Sequence, residues 1–272
     1  MTAGFRGPDG CAGMTTTKGG PVLKRSGMRR GGWGFVLVLA ATLGWGLGSV
    51  SPAAAETVAA AASLQPVMEK LLPQFEKDKN MKLEAVFDAS GNLARQIEMG
   101  APFDVFLSAD EKWARYLEEK GKLEKVRAFA ECPLVLWWSK KEAPRMELMT
   151  DKAYRVAIAD PETAPFGKLA KKYLVSKGWF DPIQKQGRLI LGGDVLKAGL
   201  AAKSGGADLA LLPLSIAQKL GGTWTKVPVA PQTLFGGLVA GRSVLAGRAF
   251  FDYLRTERAE PCFREAGFEL IR

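Results

Sequence analysis

The chain has 272 residues, 47% hydrophobic, 24% charged and 9% aromatic, with a formal net charge of +10. That balance belongs to a globular protein and excludes disordered, fibrous and repeat architectures. There is no histidine, and the three cysteines (Cys11, Cys132, Cys262) share no C-x-x-C spacing. A Ser-His-Asp triad and a His-containing zinc site are therefore excluded, the cysteines argue against a zinc or iron–sulfur centre, and neither metal nor cofactor is expected.

The first 55 residues read as a leader. Lys24, Arg25, Arg29 and Arg30 precede an uncharged apolar run from Trp33 to about Val50, which ends in Ser51-Pro52-Ala53-Ala54-Ala55. That order of basic, apolar and small residues predicts a secretory signal peptide (1–55) cut after Ala55. An uncleaved membrane anchor is the alternative, against which the small-residue site weighs. Cys11 lies before the apolar run, where a lipid-anchored cysteine does not stand, and Met14 or Met28 are alternative starts. Six of the 38 basic and one of the 28 acidic residues precede Glu56, so the mature net charge falls to +5. No basic cluster dense enough for nucleic acid remains. Cys132 and Cys262 survive cleavage into an oxidising compartment, as a disulfide or as two buried thiols.

Along the mature chain, 57–61 is a short apolar strand. A helix follows in which Val67, Met68, Leu71, Leu72 and Phe75 share one face, with Ser63 placed to cap it. Pro66 suits its first turn, and Pro73 predicts a kink. Residues 82–87 alternate as a strand, 88–92 turn, and 93–99 form a short helix. The strand 105–107 ends at Ser108-Ala109-Asp110, which caps a helix over 111–120. Strands are then expected at 133–138, 156–159, 189–191, 209–212 and 233–240. Helices are expected at 166–177, 195–203, 214–220, 244–256 and 259–266. Such alternation predicts an α/β fold with mainly parallel sheets flanked by helices. In these folds ligands bind beyond the carboxyl ends of the strands.

Those strand-to-helix turns carry the candidate chemistry. Ser63, Ser90, the turn from Thr163 to Phe166, and Asp194-Val195 each stand where the first N–H groups of a helix lack an internal acceptor. The helix dipole adds about half a positive charge there, so anions bind without a charged side chain. A hydroxyl at one such turn is by itself most simply a local cap contributing about 1 kcal/mol. Asp160-Pro161-Glu162 reads as a turn rather than an acid–base pair. Trp137 and Trp138 read as strand residues. Lys140, Lys141, Lys168, Lys171 and Lys172 read as solvated faces, and Arg95 as a surface ion pair first and an anion contact second.

Several stretches add to this reading. They are Ala60-Ala61-Ala62-Ser63-Leu64, Ala89-Ser90-Gly91-Asn92-Leu93-Ala94-Arg95-Gln96-Ile97-Glu98, and Gly100-Ala101-Pro102-Phe103-Asp104-Val105-Phe106-Leu107-Ser108-Ala109-Asp110-Glu111-Lys112-Trp113. In order and spacing they resemble the periplasmic molybdate-binding proteins of ABC importers, which are type II periplasmic solute-binding proteins. The likeness continues more loosely through Ala159-Asp160-Pro161-Glu162, Gly193-Asp194-Val195 and Ala266-Gly267-Phe268, and so covers nearly all of residues 57–271.

The resemblance implies a two-lobed fold with a two-crossing hinge: lobe 1 over 56–133, lobe 2 over 134–227, and a return to lobe 1 over 228–272. It implies a dehydrated tetrahedral oxyanion, molybdate or tungstate, held by Ser63 and Ser90 from the first lobe. Backbone N–H groups of Phe166 and Val195 would serve from the second. It implies a monomer working in the periplasm with an ABC permease and its ATPase, and no enzymatic activity. Three positions depart from the family pattern. Pro213 stands where a tyrosine hydroxyl is frequent, Phe166 replaces a small residue, and Asp88 replaces a small neutral one. Asp88 is expected to face solvent; facing inward, it would repel a dianion or accept a proton from a protonated ligand. Another anion (phosphate, sulfate or a small organic anion), a sensor feeding a signalling receptor, and an enzyme on the same scaffold remain the alternatives.

Overall fold

The computed structural model describes residues 55–242 and 245–271. Residues 1–54 of the expected leader, Cys11 among them, lie outside the described residues. The first strands are β1 (Glu56–Ala61), β2 (Leu83–Asp88) and β3 (Val105–Ser108), followed by β4 (Leu123–Cys132) and β5 (Leu134–Trp138). Next come β6 (Val156–Ala159), β7 (Leu189–Gly192) and β8 (Leu209–Pro213), then β9 (Thr223–Lys226), β10 (Gln232–Val239) and β11 (Glu269–Leu270). The helices are α1 (Gln65–Lys79), α2 (Ser90–Glu98), α3 (Glu111–Glu119), α4 (Pro165–Ser176), α5 (Phe180–Lys185), α6 (Val195–Lys203), α7 (Leu214–Leu220), α8 (Leu245–Tyr253) and α9 (Glu260–Glu265).

The strands form two sheets. One has the order β11-β4-β10-β3-β1-β2 and the other β7-β6-β8-β5-β9. The chain leaves the first sheet between Cys132 and Leu134 and returns between Lys226 and Gln232. The parallel pairing that alternation predicts holds for β1 with β2 and β3, and for β6 with β7 and β8. Strands next to the crossings are antiparallel instead: β10 runs between β3 and β4, and β5 between β8 and β9. A strand entered directly from the other sheet arrives without the crossover helix that parallel pairing needs.

Strand sequences report their two-sided burial. Val105-Phe106-Leu107-Ser108 and Val156-Ala157-Ile158-Ala159 are buried at every position, so they lack polar alternation. On one face of the first sheet, Phe75 of α1 meets Phe250 and Tyr253 of α8 edge to face. On the other, Leu93 and Ile97 of α2 and Trp113 and Leu117 of α3 cover Ala59 and Phe106. Asp110 caps α3 by accepting from the Trp113 N–H, and burial holds its carboxyl above the usual range.

Several local expectations change. Helix α1 runs through Pro73, because this residue and Glu69, whose carbonyl loses its donor, both face solvent. Helix α2 begins three residues earlier than its apolar pattern suggests, since small Ser90-Gly91-Asn92 fit a buried first turn. The strands β4, β9 and β11 and helix α5 carry too little periodicity to be read from sequence. Cys132 and Cys262 are separate free thiols. Cys132 is wholly buried beside Pro133, which pushes its thiol up to about 12, and Cys262 packs against Gln74. Trp137 donates to the Gly221 carbonyl and Trp138 to the Thr223 hydroxyl, so both indoles have structural partners.

Gly167 brings the first turn of α4 against the end of β6: a Cβ there would sit 2.2 Å from the Ala159 carbonyl oxygen. Backbone cannot yield as a side chain does. Gly167→Ala should therefore cost about 2–3 kcal/mol, within the range for an overpacked core. Urea unfolding of the variant measures it.

Candidate functional site

One small cavity gathers the candidates. Its wall comprises Ala61, Ala62 and Ser63 after β1, Asp88, Ala89 and Ser90 after β2, and Ala109 after β3. From the second sheet come Ala164, Pro165 and Phe166 after β6, and Asp194 and Val195 after β7. Each group lies at the carboxyl end of a strand from one of the two parallel sets. The cavity is about 10 Å³ as measured by where the centre of a water molecule fits, room for little more than one such centre.

Ser63 occupies a short 3₁₀ turn, Ala62–Leu64, between β1 and α1. It does not cap α1, whose N-cap is Leu64, with no side-chain bond. Its carbonyl accepts from the Ser215 hydroxyl at 2.8 Å, which fixes the residue from the opposite sheet. Its own hydroxyl is buried with no hydrogen-bond partner. Ser90 is the first residue of α2 rather than its cap, and its hydroxyl accepts from the Ala109 N–H at 3.0 Å. The Ser90 proton is therefore left to donate elsewhere. Neither serine is the simple helix cap that position alone would suggest.

Main-chain donors complete the wall. The N–H groups of Ser90, Phe166 and Val195 belong to the first turns of α2, α4 and α6, where no intrahelical acceptor exists. The Phe166 side chain is buried within the main core, so this residue presents backbone rather than side-chain polarity. Asp194 caps α6, its Oδ1 accepting from the Leu196 and Lys197 N–H groups at 2.8 and 2.9 Å. That leaves the Val195 N–H as the donor not taken by the cap.

Two departures resolve differently from expectation. Asp88 does not simply face solvent: it lines the cavity, its side chain 24% exposed. Oδ1 accepts from the Ala89 N–H at 2.7 Å and the Asn92 amide at 3.1 Å, which draws the carboxylate back over the start of α2. Pro213 ends β8, precedes α7 and is absent from the cavity wall. Arg95 makes no direct contact with the cavity; its guanidinium sits over the Trp113 ring. Asp160 accepts from the Glu162 N–H and the Thr163 hydroxyl, the bonds of a turn.

The two sheets meet across this cavity. The Gly91 N–H donates to the Thr163 carbonyl at 2.9 Å, and Lys219 pairs with Glu69 at 2.5 Å. Both contacts join residues more than 70 positions apart, and no local sequence signal foretells them. Among the described residues no group of His, Cys, Asp or Glu is arranged to hold a metal ion. The hydroxyls and helix starts of the wall form a constellation of hydrogen-bond donors.

Two α/β sheets joined by two crossings, with strand ends and helix starts facing a shared cavity, define a solute-binding protein fold. Residues 57–269 match the family described as bacterial extracellular solute-binding protein, and the chain belongs to that family. It is 31% identical to the molybdate-binding protein ModA of Azotobacter vinelandii, over 85% of this chain and 97% of that one. It is 30% identical to ModA of Escherichia coli K12, over 79% and 88% respectively. The solved periplasmic molybdate-binding protein of A. vinelandii superposes with a TM-score of 0.75 at 26% identity, covering 80% of this chain and all of that one. The fold alone extends to the sulfate-binding protein SubI of Mycobacterium tuberculosis, at 18% identity and a TM-score of 0.67.

The two serines should separate in stability. Ser63→Ala removes a hydroxyl that bonds nothing in the protein, so unfolding free energy should stay level or rise. Ser90→Ala strands the buried Ala109 N–H and should cost about 1–3 kcal/mol. Paired urea titrations distinguish them.

Proposed function

We propose that this protein is the substrate-binding component of an ABC importer and captures a tetrahedral oxyanion, molybdate or tungstate, in this cavity. The observation that carries the reading is the Ser63 hydroxyl, buried and unpartnered in a wall to which helix-start N–H groups also belong. A buried polar atom without a partner costs free energy unless a ligand supplies one. Ser63 and Ser90 donate through hydroxyls, Phe166 and Val195 through the main chain, and the helix dipoles add positive potential. The relatives' names carry the choice of molybdate.

Charge-assisted hydrogen bonds contribute about 1.5–3 kcal/mol each. Several together, offset by dehydration and ordering of the ion, support micromolar or better affinity, roughly −8 kcal/mol. Discrimination follows from cavity size, which separates the smaller sulfate and chromate from molybdate and tungstate, and from protonation. Molybdate and tungstate at neutral pH carry no proton, so a site of donors suits them. Hydrogen phosphate brings a proton that needs an acceptor. Asp88 in the wall is the one feature that favours a second reading, because its carboxylate could accept that proton.

The segments 56–133 with 228–272, and 134–227, act as two lobes hinged at the crossings near Pro133 and between Val227 and Gln232. Closure brings the donor sets together, and the closed form is what a permease with its ATPase would recognise. Residues 1–55 direct the chain to the periplasm, in keeping with the periplasmic relative, where it acts as a monomer. Binding rather than catalysis is the activity: the wall offers no nucleophile paired with a base.

Calorimetric titration with molybdate, tungstate, sulfate, phosphate and chromate tests this. Molybdate and tungstate should bind at micromolar or better affinity, and the other three at least a hundredfold more weakly. Ser63→Ala combined with Ser90→Ala should lose most of that affinity while keeping its circular dichroism. A preference for phosphate would instead establish Asp88 as a proton acceptor.

A further inference from the structure

The cavity wall contains two carboxylates and no cation, an unusual setting for a doubly charged anion. Asp88 enters from the end of β2, and Asp194 from the start of α6 in the other sheet. Both are held in place by backbone. Asp88 is tied to the Ala89 N–H, and Asp194 to the Leu196 and Lys197 N–H groups. Asp194 cannot swing away without uncapping α6, and Asp88 cannot without giving up its bonds to the Ala89 N–H and the Asn92 amide. A dianion brought into such a wall meets like charge from both sides, at separations where low local dielectric magnifies repulsion.

One ammonium answers both. Lys197 Nζ lies 2.8 Å from Asp194 Oδ2 and 4.0 Å from Asp88 Oδ1, so it spans the line between the sheets at the cavity edge. Its aliphatic stem passes beside Gly193, where a Cβ would stand in ordinary van der Waals contact with it at 3.7 Å. The Lys197 head is 63% exposed whereas the Asp194 side chain is 6% exposed, so the lysine reaches inward from solvent to a fixed carboxylate. The Asp194 bond and charge raise the Lys197 pKa, which keeps the ammonium charged through neutral pH.

Resting on the oxyanion reading of this site, we propose that Lys197 is a specificity-determining counter-ion. It neutralises Asp88 across the cavity, and so lets a wall containing that carboxylate accept a dianion. The lysine does not touch the ion. It sets which charge the cavity admits, while the serine hydroxyls and helix starts set the shape. The Asp88–Lys197 contact joins the two sides of the cavity, so the compensation, one positive charge shared between two carboxylates, is partial and depends on the approach of the two sheets.

The test uses two anions of one shape and different charge, tungstate (−2) and perrhenate (−1), titrated calorimetrically into the wild type, Lys197→Met, Asp88→Asn and the double variant. Lys197→Met should weaken tungstate at least tenfold and perrhenate less than threefold. Adding Asp88→Asn to it should bring tungstate back to within threefold of Asp88→Asn alone, and Lys197→Arg should retain wild-type selectivity. Equal losses for both anions, no loss for either, or no recovery in the double variant would overturn the counter-ion role. The recovery arm decides if perrhenate binds too weakly to titrate. Wild-type protein that binds neither tungstate nor molybdate would remove the reading of the site itself, and this inference with it. The two failures are thus distinguishable.

Discussion

The N–H groups that open a helix have nowhere inside the helix to bond, and the rest of this structure is arranged around that constraint. Strands β1, β2, β6 and β7 each deliver such a beginning to one small cavity. The Asp194 carboxylate takes some of these donors as a cap, and the remainder point at common ground. A cluster of aligned dipoles with unmet donors repels itself and attracts an anion, so the geometry that folds the chain also defines what it holds. No side-chain cation is needed in the wall. Its absence confines recognition to shape, hydrogen bonding and the balance of nearby charge.

Two of the contacts that join the two sheets are made by residues that build the cavity wall, or by their immediate neighbours. Ser215 holds the carbonyl of Ser63, leaving the hydroxyl of the same residue in the wall. Gly91, next to Ser90, bonds Thr163, three residues before Phe166. Any motion that separates the sheets therefore takes the donor set apart. Glycine is required at position 91, since a Cβ there would meet the Trp113 ring at 2.6 Å and the Thr163 carbonyl at 3.0 Å. Approach of the two backbones at this point allows the cavity to be as small as it is.

Energetically, the wall divides into parts that serve the fold and parts that do not. The Ser90 hydroxyl satisfies a buried backbone donor, and Asp194 caps its helix. The Ser63 hydroxyl does nothing for the folded chain on its own. A buried polar atom without a partner is a cost to the folded chain, and it separates Ser63 from the residues that cap helices more clearly than position does. Asp88 and Lys197 are a different case: each is consistent with a local role, and only their meeting across the cavity gives the pair a bearing on which anion enters.

Much of this protein was legible in its sequence. Apolar runs and helical periodicity located β6, α6 and α7 to the residue, and the strand-to-helix order carried the α/β class. The turns holding Ser63, Ser90, Phe166 and Val195 stood out because each follows a strand and leads into a helix, and the family resemblance singled out those four residues within them. The quoted stretches around Ser63 and Ser90 carried the family. Other features depended on residues distant in the chain. β4, β9 and β11 have no strong pattern of their own and exist because a neighbouring strand offers its free edge. That Ser63 caps nothing, that Asp88 lines the cavity, that Pro213 lies away from it and that the cysteines stay apart follow from packing between segments far apart in the chain. Local sequence encodes which groups are unsatisfied; only the tertiary structure decides which of them face one another.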